Sequence, residues 1–167
     1  MPTPIRFERT TDMDLVRSII TAPSIWPHVS DDGSGAPEDY RPVDHPAILY
    51  VLAWDRSELL GLFMFAPENS ITLDVHTCLL PAAVFPPPDA QDAPSRSSAA
   101  ARGVIQWIWA NTPCRRIVTR VPAPNRLALR FARNAGMMEY GRNERSWLKG
   151  GKVYDQILLG ISKPEVV

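Results

Sequence analysis

The chain has 167 residues, the length of one domain with enough chain for a real core, and its 45% apolar content is that of a globular protein rather than a disordered one. Eighteen basic residues balance eighteen acidic ones, so no global field steers the chain towards nucleic acid or anionic lipid, and a dedicated nucleic-acid binder is not expected. No apolar run approaches the roughly 18 residues of a membrane span.

Residues 4–10, PIRFERT, alternate Ile5 and Phe7 against Arg6 and Glu8, a strand pattern. Thr11 or Asp12 then caps a helix through DMDLVRSIIT, with Leu15, Val16, Ile19 and Ile20 on one face. Residues 24–46 carry four prolines and read as a loop. AILYVLAW (47–54) and LLGLFMFAP (59–67) are nearly continuous apolar strands, predicted to be buried on both faces. SITLDVHTCLL (70–80) is a third strand, and the turns between the three predict an antiparallel meander. LPAAVFPPPDAQDAPS (80–95) is a second proline-rich loop.

SRSSAAARGVIQWIWANTP (95–113) reads as a helix with Ser97 or Ser98 as N-cap and Ala101, Val104, Ile105, Ile108 and Trp109 facing inward. Trp107 cannot share that face, being two residues from Trp109. CRRIVTRVP (114–122) is a strand. NRLALRFARNAGM (125–137) is a helix capped by Asn125, with Leu127, Ala128, Phe131 and Ala135 inward and Gly136 as its stop. The last two segments, 137–151 and 152–162, form a hairpin around Gly150 and Gly151. This order predicts a single α/β (α+β) domain over residues 1–167, with a central mixed, mostly antiparallel sheet of about seven strands and helices on both faces.

Cys78 and Cys114 fit no zinc spacing, and His28, His45 and His76 do not complete one, so no metal site is expected. Both cysteines read as small apolar core residues. That usage suits a reducing cytoplasm, and the N-terminal MPTPIRFERT carries no apolar leader. The junction TCLLP…RSSAAA, where a strand ends and a helix begins with small side chains, carries more chemistry. Small residues let an anion approach free amides at a helix start, and Arg96 adds a charged donor for a phosphate oxygen. The same residues serve equally as an ordinary helix start. Asp74 and His76 lie two apart on a strand and point to one face. They read either as candidates for taking a proton from an acceptor, or as a half-buried histidine bonded to backbone beside an exposed carboxylate.

Residues 96–101, Arg-Ser-Ser-Ala-Ala-Ala, resemble the acyl-CoA pyrophosphate loop of the GNAT N-acetyltransferases, Gln/Arg-x-x-Gly-x-Gly/Ala. Residues 125–137 resemble that family's second cofactor element, Asn-x-x-Ala-x-x-Phe/Leu-Tyr ending in Gly-Phe, with Asn125, Ala128, Phe131 and Gly136 in step. The tail MEYGRNERSWLKGGKVYDQILLGI resembles the end of Rim-type ribosomal-protein N-terminal acetyltransferases.

The resemblance implies a GNAT fold with acetyl-CoA as co-substrate, lying where the fourth and fifth strands splay apart. It implies that the backbone of Thr77, Cys78 and Leu79 pairs with the pantetheine amides like an added strand. The amides of Ser97, Ser98, Ala99, Ala100 and Ala101 would hold the pyrophosphate beside Arg96. Asn125 would contact the pantetheine arm, with Phe131 in the same element. The acceptor would be a primary amine of a small molecule or peptide terminus that attacks the thioester directly. His76 with Asp74 would remove its proton. Tyr140 is a second candidate acid, or a packing tyrosine in a strand. Trp26, His28, Asp31 and Asp32 would line the acceptor pocket, the two carboxylates drawing in a cationic amine; the alternative is a surface loop anchored by its tryptophan.

Three features depart from the pattern. Ala99 and Ala101 stand at glycine positions, the 81–96 connection is long, and Ala132 occupies the place of the family's usual general-acid tyrosine. They keep a second reading open: a GNAT-fold protein of weak or no activity, with a structural, assembly or CoA-binding role. The hairpin edge or Trp107 leaves room for a homodimer.

Overall fold

A computed structural model describes residues 4–85 and 95–166. A seven-stranded sheet in the order β1-β2-β3-β4-β5-β7-β6 forms its middle layer. Strands β1 (Arg6–Thr10), β2 (Leu49–Asp55), β3 (Glu58–Pro67) and β4 (Thr72–Leu79) pair antiparallel in chain order. Strand β5 (Arg116–Pro122) lies parallel to β4. The hairpin of β6 (Met138–Lys149) and β7 (Lys152–Ser162) completes the sheet, with β7 against β5 and β6 at the edge.

Strand alternation builds two cores, one on each face. On one face Val51, Phe63, Phe65, Val75 and Ile117 pack against Ala101, Val104, Ile105 and Ile108 of helix α4 (Arg96–Asn111) and Leu129 and Ala132 of α5 (Arg126–Asn134). On the other, Tyr50, Leu52, Leu62 and Cys78 pack against Val16, Ile19 and Ile20 of α1 (Met13–Ile20). The unbroken apolar runs of β2 and β3 are therefore buried from both sides, as their composition predicts. Both cysteines are free and buried.

Local chemistry differs from the sequence expectations at five points. The first proline-rich loop contains a helical turn, α2 (Trp26–Val29), and a 3-10 turn at Pro37–Asp39, because proline in a first helical turn loses no hydrogen bond. In the second, α3 spans Pro81–Val84, and residues 86–94 lie outside the described residues. The N-cap of α4 is Ser95, ahead of Ser97 and Ser98. On α5 the inward residues are Leu129, Ala132 and Ala135, with Ala128 and Phe131 half-buried, while Leu127 is 58% exposed. Trp107 packs against the larger core rather than standing free of it.

Gly61 interrupts the β2–β3 register and holds φ at +152°. A Cβ there would collide with the carbonyl oxygen of Cys78 and lie 2.9 Å from Leu79 Cα, so both backbone strain and close approach demand glycine. Gly61→Ala is expected to lower stability by about 2–4 kcal/mol in urea denaturation, because the obstructing atoms are backbone and cannot rotate away.

Candidate active site

Strands β4 and β5 share only three residue pairs, Thr72–Arg116, Leu73–Ile117 and Asp74–Val118. Past that point Val75–Leu79 and Thr119–Pro122 stay paired to β3 and β7 but not to each other, and the sheet forks. Thr119 Oγ1 donates to the Val75 carbonyl at 3.0 Å just beyond the last pair. The N–H and C=O of one strand residue point the same way and alternate along the chain. The Val75 carbonyl faces β5, so Thr77 and Leu79 also turn their backbone groups into the gap. Cys78 is turned towards β3, as is Leu80, whose N–H bonds Leu60 at 2.9 Å. Of the expected trio, Thr77 and Leu79 are the two free to pair with an extended ligand.

The start of α4 supplies open amides. Ser95 caps it without a side-chain bond to the first turn, its hydroxyl instead lying 2.7 Å from Ser97 Oγ. The amides of Arg96, Ser97 and Ser98 have no acceptor among the described residues, whereas Ala99 N–H already bonds Ser95 at 3.1 Å. Ala100 and Ala101 lie within the helix, with both side chains in the core. The anion-accepting set is thus the first three helical residues, earlier than the motif spacing suggests.

Arg96 turns its side chain away from those amides. Nη1 lies 2.5 Å from Glu58 Oε2 and 3.2 Å from Asp55 Oδ2, and Nη2 donates to the Ala82 carbonyl at 2.7 Å. It ties the helix start to the β2–β3 turn and to α3. Asn125 caps α5, its Oδ1 accepting from Ala128 N–H at 3.1 Å. Phe131 is half-buried against the larger core, and Ala132 is buried in it.

At the root of the fork the structure brings Asp74 and His76 together. Asp74 Oδ2 lies 3.4 Å from His76 Nε2 and accepts from Arg120 Nη2 at 2.9 Å; Arg120 also reaches Glu68 at 3.4 Å. Asp74 is buried and its Oδ1 has no partner among the described residues, while half of the His76 side chain is exposed. The reading of Asp74 as an exposed carboxylate is therefore corrected. Burial alone would raise its pKa; the bond and charge of His76, followed by those of Arg120, outweigh it and hold the carboxyl below its ordinary range. Arg120, reaching across the fork from β5, had no local signal in the sequence.

Other candidates fall elsewhere. The ring of Tyr140 lies under the Arg116 guanidinium, 5.0 Å away, at the paired end of the fork, so it does not join the His76 pair. Asp31 Oδ1 accepts from Gly33 N–H and Ser34 Oγ within its own turn. Asp32 accepts from the amides of Gly150 and Gly151 at the hairpin tip. Asp32 thus has both oxygens taken by amides, and Asp31 is engaged through Oδ1. His28 is exposed, and Trp26 meets Tyr40 edge-on with centroids 5.4 Å apart. Tyr40, not singled out by the sequence, packs with the Cys78 core on the face of His76. Burial, then Tyr50 and Cys78, push its hydroxyl up to about 12. It stays protonated at neutral pH.

This architecture is the GNAT fold. The chain is similar to the spermidine N-acetyltransferase of Vibrio cholerae solved with CoA and spermine, at a TM-score of 0.72 and 13% identity over 95% of both chains. It is similar to a GNAT-family acetyltransferase of Bacillus anthracis at 0.68 and 15%, covering 97% of this chain and 96% of that one. It is also similar to the aminoglycoside N(6')acetyltransferase of Legionella pneumophila at 0.68 and 12%, covering 97% and 94%. No protein-family model matches the chain, and no curated protein matches its sequence.

Two measurements check this geometry. Arg96→Ala should lower unfolding stability by about 1–3 kcal/mol in urea, since it strips charged hydrogen bonds from partly buried groups; Glu58→Ala, which removes an exposed partner, should cost about 0–1 kcal/mol. The depressed Asp74 carboxyl contributes stability that is present above its unfolded pKa and lost as pH falls through its lower folded value. The window is therefore below about pH 4, and Asp74→Asn should flatten that part of the stability profile.

Proposed function

We propose that the chain is an acetyl-CoA-dependent N-acyltransferase acting on a primary amine of a small molecule or peptide terminus. The observation that carries this reading is the fork: a free strand edge at Thr77 and Leu79 leads from the buried Asp74 to the open amides of Arg96, Ser97 and Ser98. A long ligand with amide groups along an arm and a diphosphate at one end matches that sequence of donors and acceptors. Asn125 Oδ1 is taken by the cap, and its Nδ2, which has no acceptor among the described residues, is the group offered to the arm. The similar fold of the Vibrio cholerae enzyme solved with CoA supports the choice of ligand, and the Rim-like tail supports a peptide terminus among the acceptors.

Bound acetyl-CoA supplies an activated thioester. The chain's own residues position the amine and manage protons. Asp74 holds His76 through Nε2, which leaves Nδ1 to take the ammonium proton. The amine attacks the thioester carbonyl, and the C–S bond breaks. Ala132 cannot protonate the departing thiolate; Tyr40, a protonated phenol on the face of His76, or a water serves in its place.

Thermal shift with acetyl-CoA tests the reading. Saturation at a hundred times Kd should stabilise the fold by about 2.7 kcal/mol, a rise of a few degrees in Tm. His76→Ala should leave that shift intact and lower kcat by about a hundredfold in a free-thiol assay. No shift at millimolar acetyl-CoA overturns the cofactor reading. A shift without turnover favours the second reading, a CoA-binding protein of weak or no activity, for which the alanine at 132 already speaks.

A further inference from the structure

The fork is closed at its root by three residue pairs, yet its open end is bridged as well. Asp32 Oδ1 accepts from Gly150 N–H and Oδ2 from Gly151 N–H, both at 2.8 Å, across 118 and 119 residues of sequence. Asp32 N–H donates to the Leu148 carbonyl at 3.0 Å, and Lys149 Nζ donates to the Ser30 carbonyl at 2.6 Å. Gly150 and Gly151 hold φ at +59° and +72°, which presents both amides to one carboxylate in a backbone conformation other residues rarely adopt.

The two sides of this contact belong to opposite arms. Residues 30–32 follow α2, which packs on the β1–β4 arm with the Cys78 core. The hairpin tip belongs to the other arm and projects beyond β5, whose last residue, Pro122, pairs with Gln156 of β7. The bridge therefore crosses the mouth of the fork on the His76 face. Beneath it, Trp147 and Tyr154 pair across the hairpin, and strand alternation from Ile157 and Leu159 places them on that same face.

We propose that Asp32 is a positioning residue, a latch that fixes the height of the acceptor opening and so selects a primary amine at the end of an unbranched chain over one borne on a ring. The proposal rests on the transferase reading above and gives Asp32 a role other than drawing in a cation, since both its oxygens are taken by amides. The Gly151 and Gly150 bonds also hold its carboxyl below the usual range, so the latch stays charged at neutral pH.

The test uses the full chain, with n-butylamine and cyclohexylamine as probe acceptors and hydrogen exchange at Gly150 and Gly151. Wild type should favour n-butylamine in kcat/KM by about tenfold or more. Asp32→Ala should bring that ratio near unity, mainly through KM, speed exchange at both glycine amides and leave the acetyl-CoA thermal shift unchanged. Asp32→Asn, which keeps one acceptor oxygen, should fall between. A ratio unchanged in Asp32→Ala despite faster exchange overturns the latch, as does a wild-type preference for cyclohexylamine. Absence of both thermal shift and turnover in wild type is a distinct result: it sinks the transferase reading and takes this selectivity with it.

Discussion

The parallel pairing of β4 with β5 stops at Asp74–Val118, and the candidate site follows from that stop. Buried backbone groups must find partners, so a sheet that parts in its middle leaves donors and acceptors for something else to satisfy. At Val75 the protein satisfies one itself through Thr119. Further out, Thr77 and Leu79 remain as an internal strand edge. Edges of this kind invite an added strand, and an edge lying between two arms of one sheet is open to an extended ligand.

Holding the arms together across that opening falls to side chains. Arg120 on β5 reaches Asp74 on β4, and the same carboxylate lies against His76. A buried charge is costly unless paired, so Asp74 makes the fork's root depend on both neighbours. One carboxylate oxygen thus serves both contacts: Asp74 Oδ2 takes the Arg120 bond that joins the arms and lies against the imidazole. Asp74 Oδ1 is buried with no partner among the described residues, so both contacts fall on Oδ2.

Much of the fold was legible because it rests on periodicity. Apolar runs, alternation, caps and the two-glycine turn led to the strand order, the helices and the hairpin. The misreadings share a cause, which is local ambiguity settled by distant groups. Serines at 95, 97 and 98 all satisfy an N-cap preference, and packing chose the first. On α5, stripes through 127, 128, 131 and 135 or through 128, 129, 132 and 135 fit a helical period equally well, and the sheet chose the second. Asp32 read as an attractor for cations because its partners lie far along the chain. Arg96 read as a phosphate ligand because Asp55 and Glu58 reach it only once β2, β3 and α4 are assembled. The pair Asp74 and His76 was visible because strand alternation is a local rule; Arg120, which completes it, was not.

The alanine substitutions at the start of α4 look different once the helix is placed. A methyl group obstructs an anion only where it projects towards the approach. Ala101 is 2% exposed and packs in the core beside Val104 and Ile105, so its methyl fills protein rather than the cleft. Ala99 alone of the two is exposed, and it follows the three free amides rather than lying among them. Arg96, anchored by the β2–β3 turn, holds that first turn still without extending its own charge over it. Preorganised amides lose little freedom when a ligand arrives. Within the proposed transferase reading, the two alanines therefore weigh less against cofactor binding than Ala132, which stands where the resemblance expects a tyrosine, weighs against catalysis.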